Sequence, residues 1–145
     1  YGLVGSEMCI RDSSPTADSA YLPHNCVENC VCYAGTHDNA PLALWRQEAE
    51  PDEIDFAVQY LGLNEREGFN RGVLRGGMTS PASLFVAQMQ DWLELGKGSR
   101  INTPGTDRDN WQWRLLPGEL TVDLISGIRE MTRIYGRLPA KQSKT

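Results

Sequence analysis

No apolar run in this chain approaches the roughly 20 residues that a membrane-spanning helix needs, so no membrane partner is expected. Basic residues are outnumbered: 14 Lys and Arg stand against 19 Asp and Glu, leaving a net charge of -5. A nucleic-acid partner is not expected either, because its footprint is a basic face. Histidine is scarce, and cysteine is limited to Cys9, Cys26, Cys30 and Cys32. The chain has no internal repeat and does not open on a basic stretch followed by an apolar core. A cytoplasmic location is therefore expected. What is present, 145 residues of ordinary globular composition, suffices for one domain with its own core.

Three of the cysteines form C-x3-C-x-C, from Cys26 to Cys32. With His24 or His37 they could assemble a four-ligand zinc set, so a metal-binding protein is one alternative. Against it, Cys30 and Cys32 lie two apart on a predicted strand and share a face turned into packing. Buried, reduced thiols are the expectation, with no metal and no cofactor.

Residues 1–13 show no clear periodicity and no link to the chain beyond Ser13. Glu7 to Ser13 resembles the conceptual translation of a transposon-end adapter used in sequencing libraries. The segment is read as non-native, which leaves 14–138 as the folded part and 139–145 as a polar, disordered tail.

Within that part, Val31 to Gly35 reads as a short buried strand. Pro41 suits the first turn of a following helix, with Asn39 as its cap. Glu48 to Asp55 carries five acids in eight residues, a solvated helix start. Ile54, Ala57, Val58 and Leu61 continue at helical spacing, and Gly62 can end the helix. Phe69 to Gly77 is a further short helix. Ser83 to Ala87 is a second apolar strand, ending in Gln88-Met89-Gln90-Asp91 ahead of a helical turn, Trp92 to Gly96. A long loop spans Ser99 to Leu116. The clearest helix is Leu120 to Tyr135, with Leu124, Ile128, Met131 and Tyr135 on one face and Gly136 and Pro139 as terminators. Strands alternating with helices predict a parallel α/β unit, and two strands predict part of a larger sheet.

Thr36-His37-Asp38-Asn39 comes directly after the first strand, where α/β barrels carry their chemistry. At a strand end the chain turns, so His37 and Asp38 can reach one site. From these residues alone, a sugar-binding or acid–base site and an Asx turn capping the next helix both stand. Asp91 has the same ambiguity, with helix capping favoured. In Asn110-Trp111-Gln112-Trp113-Arg114, indole faces and amides suit a sugar, but at least one tryptophan is expected to anchor the loop in the core. Arg114 is expected to hold a carboxylate or carbonyl of the protein itself. Pro104-Gly105-Thr106 is a turn that favours glycine.

Taken in order, Tyr21-Leu22-Pro23-His24-Asn25, Val31 to Asn39, Gln90 to Gly96, Arg100 to Thr106 and Asn110 to Arg114 closely resemble the C-terminal part of the 4-α-glucanotransferases, also called amylomaltases or disproportionating enzymes. The resemblance covers roughly residues 14–138. It implies the last strands and helices of a (β/α)8 barrel related to the α-amylase superfamily. It implies transfer of α-1,4-glucan segments between maltooligosaccharides with retention, in glycogen, starch or maltodextrin metabolism. Such chemistry needs a carboxylate nucleophile and a carboxylic acid/base; the family adds a third carboxylate that stabilises the transition state. By resemblance that third carboxylate is Asp38, His37 contacts the same sugar, and Asn110 belongs to the loop lining the substrate cleft. The nucleophile and acid/base match nothing here, so the chain is expected to be a fragment, inactive alone. Two positions depart from the family: Ala40 where an acidic residue is common, and Asp109 where a glycine commonly precedes Asn-Trp. A non-catalytic carbohydrate-binding module, built on Trp111, Trp113, His37 and Asn110, is the alternative.

Overall fold

The computed structural model describes residues 5–6 and 16–139. Among them three short strands, β1 (Gly5–Ser6), β2 (Val31–Tyr33) and β3 (Leu84–Val86), form one sheet in that order. Both pairings are parallel, with Gly5 beside Val31, and Val31, Cys32 and Tyr33 beside Leu84, Phe85 and Val86. Two residues of the segment read as non-native thus run beside β2; the rest of 1–13, and the tail from 140, lie outside the described residues.

Parallel neighbours need a long crossover, and the chain between β2 and β3 supplies three helices, α1 (Leu42–Glu48), α2 (Pro51–Leu61) and α3 (Phe69–Met78). After β3 come a single turn, α4 (Met89–Trp92), and the long α5 (Val122–Ile134). None of the described helices is long and apolar enough to cross a membrane.

The alternation of β2 and β3 gives the sheet two unlike faces. Cys32 and Phe85 turn toward the helices, and Cys32 joins Leu22, Leu42, Trp45, Ala57, Val73 and Leu74 in the core. Val31, Tyr33, Leu84 and Val86 form the other face, where Leu84 and Val86 stay exposed. Parallel sheets are normally covered on both faces; among the described residues this one is covered on one.

The helix boundaries obey local chemistry. Pro51 opens α2 with Asp52 and Glu53 in its first turn, and Gly62 closes it in the left-handed conformation at φ +61°. Ala57 and Leu61 are buried and Ile54 packs on the core, but Val58 faces outward, so the apolar stripe is narrower than its spacing predicts. Thr121 caps α5 by accepting the Leu124 N–H through its hydroxyl. Of the predicted face only Met131 is fully buried. Arg137, just past α5, donates to the carbonyls of Met78, Ser80 and Ala82, and so ties the end of α5 to the end of α3.

Two predicted caps are corrected. Asn39 does not cap α1; its side-chain oxygen accepts from the Thr36 N–H at 2.7 Å and closes the turn on itself. Asp91 does not cap the helix after β3; it lies inside α4, whose cap is Gln88. Its carboxylate reaches back 49 residues to accept the Leu42 N–H at 2.7 Å. A fully buried Asp91 is therefore the acceptor at the start of α1, where the first helical amides lack partners within the helix. Local rules found the right residue type and the wrong helix.

Cys26, Cys30 and Cys32 are buried free thiols. Burial, reinforced by Cys32 and Cys30 alongside, pushes the Cys26 thiol up to about 12. No group of three or more potential metal ligands is gathered among the described residues.

Candidate functional site

β2 ends at Tyr33, and the chain turns at once. Thr36 begins a tight turn in which the Asn39 N–H donates to the Thr36 carbonyl at 3.1 Å. The Thr36 hydroxyl also donates to Asn39 Oδ1. Threonine and asparagine at the two ends of this turn therefore satisfy each other and leave the middle pair, His37 and Asp38, to face outward. Their side chains are about half exposed, with His37 Nε2 3.4 Å from Asp38 Oδ1. The two neighbours do reach one site because the strand has ended before them.

The loop after α4 folds back over this turn. Asn102 donates its side-chain amide to Asp38 Oδ1 at 2.7 Å. Its backbone N–H donates to the His37 carbonyl at 3.1 Å. Arg100 donates to the Asp38 carbonyl at 2.6 Å. From the end of β3, the Gln88 side chain donates to the Thr36 carbonyl at 2.6 Å. One oxygen of the Asp38 carboxylate is thus oriented by a neutral donor, while the group as a whole stays open to solvent.

Trp111 completes the wall. It is not a core anchor: it is more than half exposed, and its ring lies 4.9 Å from that of His37. Trp113 does not enter the buried core either. The anchoring comes from backbone bonds instead, the Trp111 N–H donating to the Ile101 carbonyl at 2.7 Å. Arg114 holds the carbonyls of Trp111 and Trp113, as expected of a residue that braces its own loop. Gly105 has φ +78°, the left-handed turn its position predicted.

Asn110 behaves differently from His37 and Asp38. Its side-chain oxygen accepts the Thr103 N–H, and its amide donates to the Thr106 carbonyl and hydroxyl. The amide is spent inside the loop, so Asn110 shapes the cleft wall rather than offering a free group to it.

Two concavities flank the site. A cavity of about 410 Å³ on the bare sheet face is lined by Tyr33, Gly35, Thr36, His37, Val86 and Gln88. An open hollow of about 660 Å³ runs along the loop, past Asn102, Asp109, Asn110 and Trp111. His37 and Trp111, in ring contact, join them. A separate hollow of about 460 Å³ near α1 and α3 gathers Arg46, Gln47 and Glu94, but not His37, Asp38 or Asn110. Asn102 and Arg100 lie in a family-like motif yet carried no assigned role, because their partners are more than 60 positions away.

Known proteins are similar to this chain in sequence and in fold. A family profile described as 4-alpha-glucanotransferase matches residues 2–121. The 4-alpha-glucanotransferase of Clostridium butyricum is 44% identical over 122 residues, covering 83% of this chain and 25% of that protein. That of Thermus thermophilus is 36% identical over 145 residues, covering 95% of this chain and 29% of that protein. Among solved structures, an amylomaltase from Streptococcus agalactiae in complex with acarbose superposes with a TM-score of 0.83 at 33% identity. It covers 87% of this chain and 26% of that one. The chain spans about a quarter of the length of these relatives, and it belongs to the 4-alpha-glucanotransferase family.

Proposed function

We propose that this chain forms one wall of the active site of a 4-α-glucanotransferase, which moves α-1,4-glucan segments between maltooligosaccharides with retention. In this reading Asp38 is the transition-state-stabilising carboxylate, His37 is a sugar contact, and Asn110 shapes the cleft. The β1–β2–β3 sheet is a sector of a (β/α)8 barrel, whose interior would cover Val31, Tyr33, Leu84 and Val86. The family to which the chain belongs supports the activity, and the buried free thiols suit a reducing, cytoplasmic setting.

The observation that carries the reading is the meeting of turn and loop at Asp38. A carboxylate with one oxygen fixed by Asn102 and its remaining face open can accept hydrogen bonds from sugar hydroxyls without reorganising. Such bonds accelerate transfer only to the extent that they tighten as the ring flattens toward an oxocarbenium-like state. The neighbouring His37 and Trp111 rings offer flat surface to the same sugar. Retaining transfer also needs a nucleophile and an acid/base. Neither matches a motif here, so the reaction is proposed for a polypeptide that carries this segment together with those two groups. A stand-alone binding module fits less well, because it would leave one face of a parallel sheet bare.

The test is Asp38→Asn in that transferase, assayed by maltotriose disproportionation. Turnover is expected to fall by about a thousandfold or more, with KM changed only a few-fold, as for a group acting mainly in the transition state. An unchanged kcat would overturn the role.

A further inference from the structure

Three consecutive carbonyl oxygens of the site turn are held by donors from elsewhere in the chain. Thr36 O accepts from Gln88, His37 O from the Asn102 backbone, and Asp38 O from Arg100. Two of the three come from the loop that begins at Ser99. Arg100 bonds in two directions: its Nη2 reaches the Asp38 carbonyl at 2.6 Å, and its Nε reaches the Asn102 carbonyl at 2.8 Å. The guanidinium thus spans turn and loop, and Asn102 in turn donates to Asp38 Oδ1. Resting on the proposed role of Asp38, we propose that Arg100 is a positioning residue: by bridging the carbonyls of Asp38 and Asn102 it fixes the loop on the turn and sets the direction of the Asp38 carboxylate.

The geometry explains why arginine stands there. A planar fork serves two acceptors in fixed directions at once, whereas a lysine ammonium is a single mobile point charge. Among the described residues Arg100 forms no ion pair. Its charge is spent on main-chain oxygens, which fixes geometry rather than neutralising an acid. Without it, Asn102 would keep only its own backbone and side-chain bonds to a turn that is half open to water. Small displacements of a group acting in the transition state are costly, about a hundredfold for about 1 Å.

The test has two parts. In the transferase carrying this segment, Arg100→Ala and Arg100→Lys are expected to lower kcat by about ten- to a hundredfold with little change in KM. Added guanidinium should restore part of the Arg100→Ala loss. The double variant Asp38→Asn/Arg100→Ala should be no slower than Asp38→Asn alone, since a residue acting through Asp38 has nothing left to position. In the 145-residue chain itself, Arg100→Ala should speed hydrogen exchange of the Asn102 amide about tenfold, while the core Leu74 amide is unchanged. Wild-type kcat in Arg100→Ala, with Asp38→Asn inactive, would overturn the positioning role and leave the proposed function standing. So would losses that multiply in the double variant. Full turnover in Asp38→Asn would instead remove the function reading, and the Asn102 exchange would then decide whether Arg100 holds the loop; unchanged exchange overturns that too.

Discussion

Asp109 sits at φ +59° and Trp111 at φ +61°, so two residues with a Cβ hold left-handed backbone on either side of Asn110. That conformation is strained for most side chains and mild for Asp, whose short polar group tolerates it. Position 109 is also where the family resemblance leads one to expect glycine, and the backbone supplies the reason. Asp109→Gly is expected to stabilise the chain by about 0.5 kcal/mol, the relief of strain being partly offset by the freer unfolded chain. A β-branched Asp109→Val should destabilise it instead, and urea midpoints for the two variants measure both signs. Other residues of the site were legible to different degrees. A turn after the first strand could be read locally, but Asn39, expected to cap the next helix, closes the turn on Thr36 instead. Arg100 and Asn102 could not be read, because spacing along a chain says nothing about which distant loop donor meets which carbonyl. The expectation that at least one of Trp111 and Trp113 anchors in the core failed for a related reason: a large apolar side chain is expected inside, but the Trp111 ring finds His37 and Trp113 stays outside the core.

At the level of elements, α3 is shaped by what its glycines leave out. A Cβ at Gly77 would fall within the Phe85 ring, and Cβ atoms at Gly72 and Gly76 would meet Leu63 and Leu61 at 2.5 Å. The helix therefore approaches β3 and α2 more closely than an alanine-bearing helix could. Two effects compete in Gly77→Ala. Helix propensity favours alanine by about 1 kcal/mol, while overpacking a filled interface costs about 1–3 kcal/mol. Because three atoms of the Phe85 ring stand in the way and Phe85 packs on the core, overpacking should win. A net loss of about 1–2 kcal/mol is expected from urea unfolding; a gain would mean that β3 yields easily. Helix positions were largely readable, since proline, glycine and threonine mark the ends of α2 and α5 locally. The start of α1 was not, because the carboxyl oxygen that accepts its Leu42 N–H belongs to Asp91, carried by another element. A helix was expected from Phe69 to Gly77 and is observed over Phe69–Met78, but the reason for its glycines lies in Phe85 and Leu61 across the interface, which the sequence does not show.

Across the whole molecule, one side of the sheet is dense with buried groups that resist ionisation. Burial raises the Cys26 thiol from 9.0 to about 12, and burial is also the first cause raising Cys32 and the Tyr60 phenol. Tyr60 meets His24, whose Nδ1 lies 2.7 Å from the phenol oxygen, so the segment ahead of β2 is fastened to α2 beside the thiols. Each of these groups keeps its proton in the folded state at a pH where the unfolded chain has lost it. Above about pH 9 the unfolded chain therefore binds fewer protons than the folded one, and stability must fall as pH rises. The contribution is fully present below the unfolded thiol value and is lost as pH climbs toward about 12. Urea midpoints measured under reducing conditions should hold steady from pH 7 to 8 and decline steadily above pH 9. Cys26→Ala should flatten the steepest part of that decline, even if it lowers stability at pH 7 by leaving a small cavity. A wild-type midpoint that did not move between pH 9 and 11 would show that water reaches the thiol cluster. The helical face of the sheet would then be no better sealed than the bare face formed by Val31, Tyr33, Leu84 and Val86.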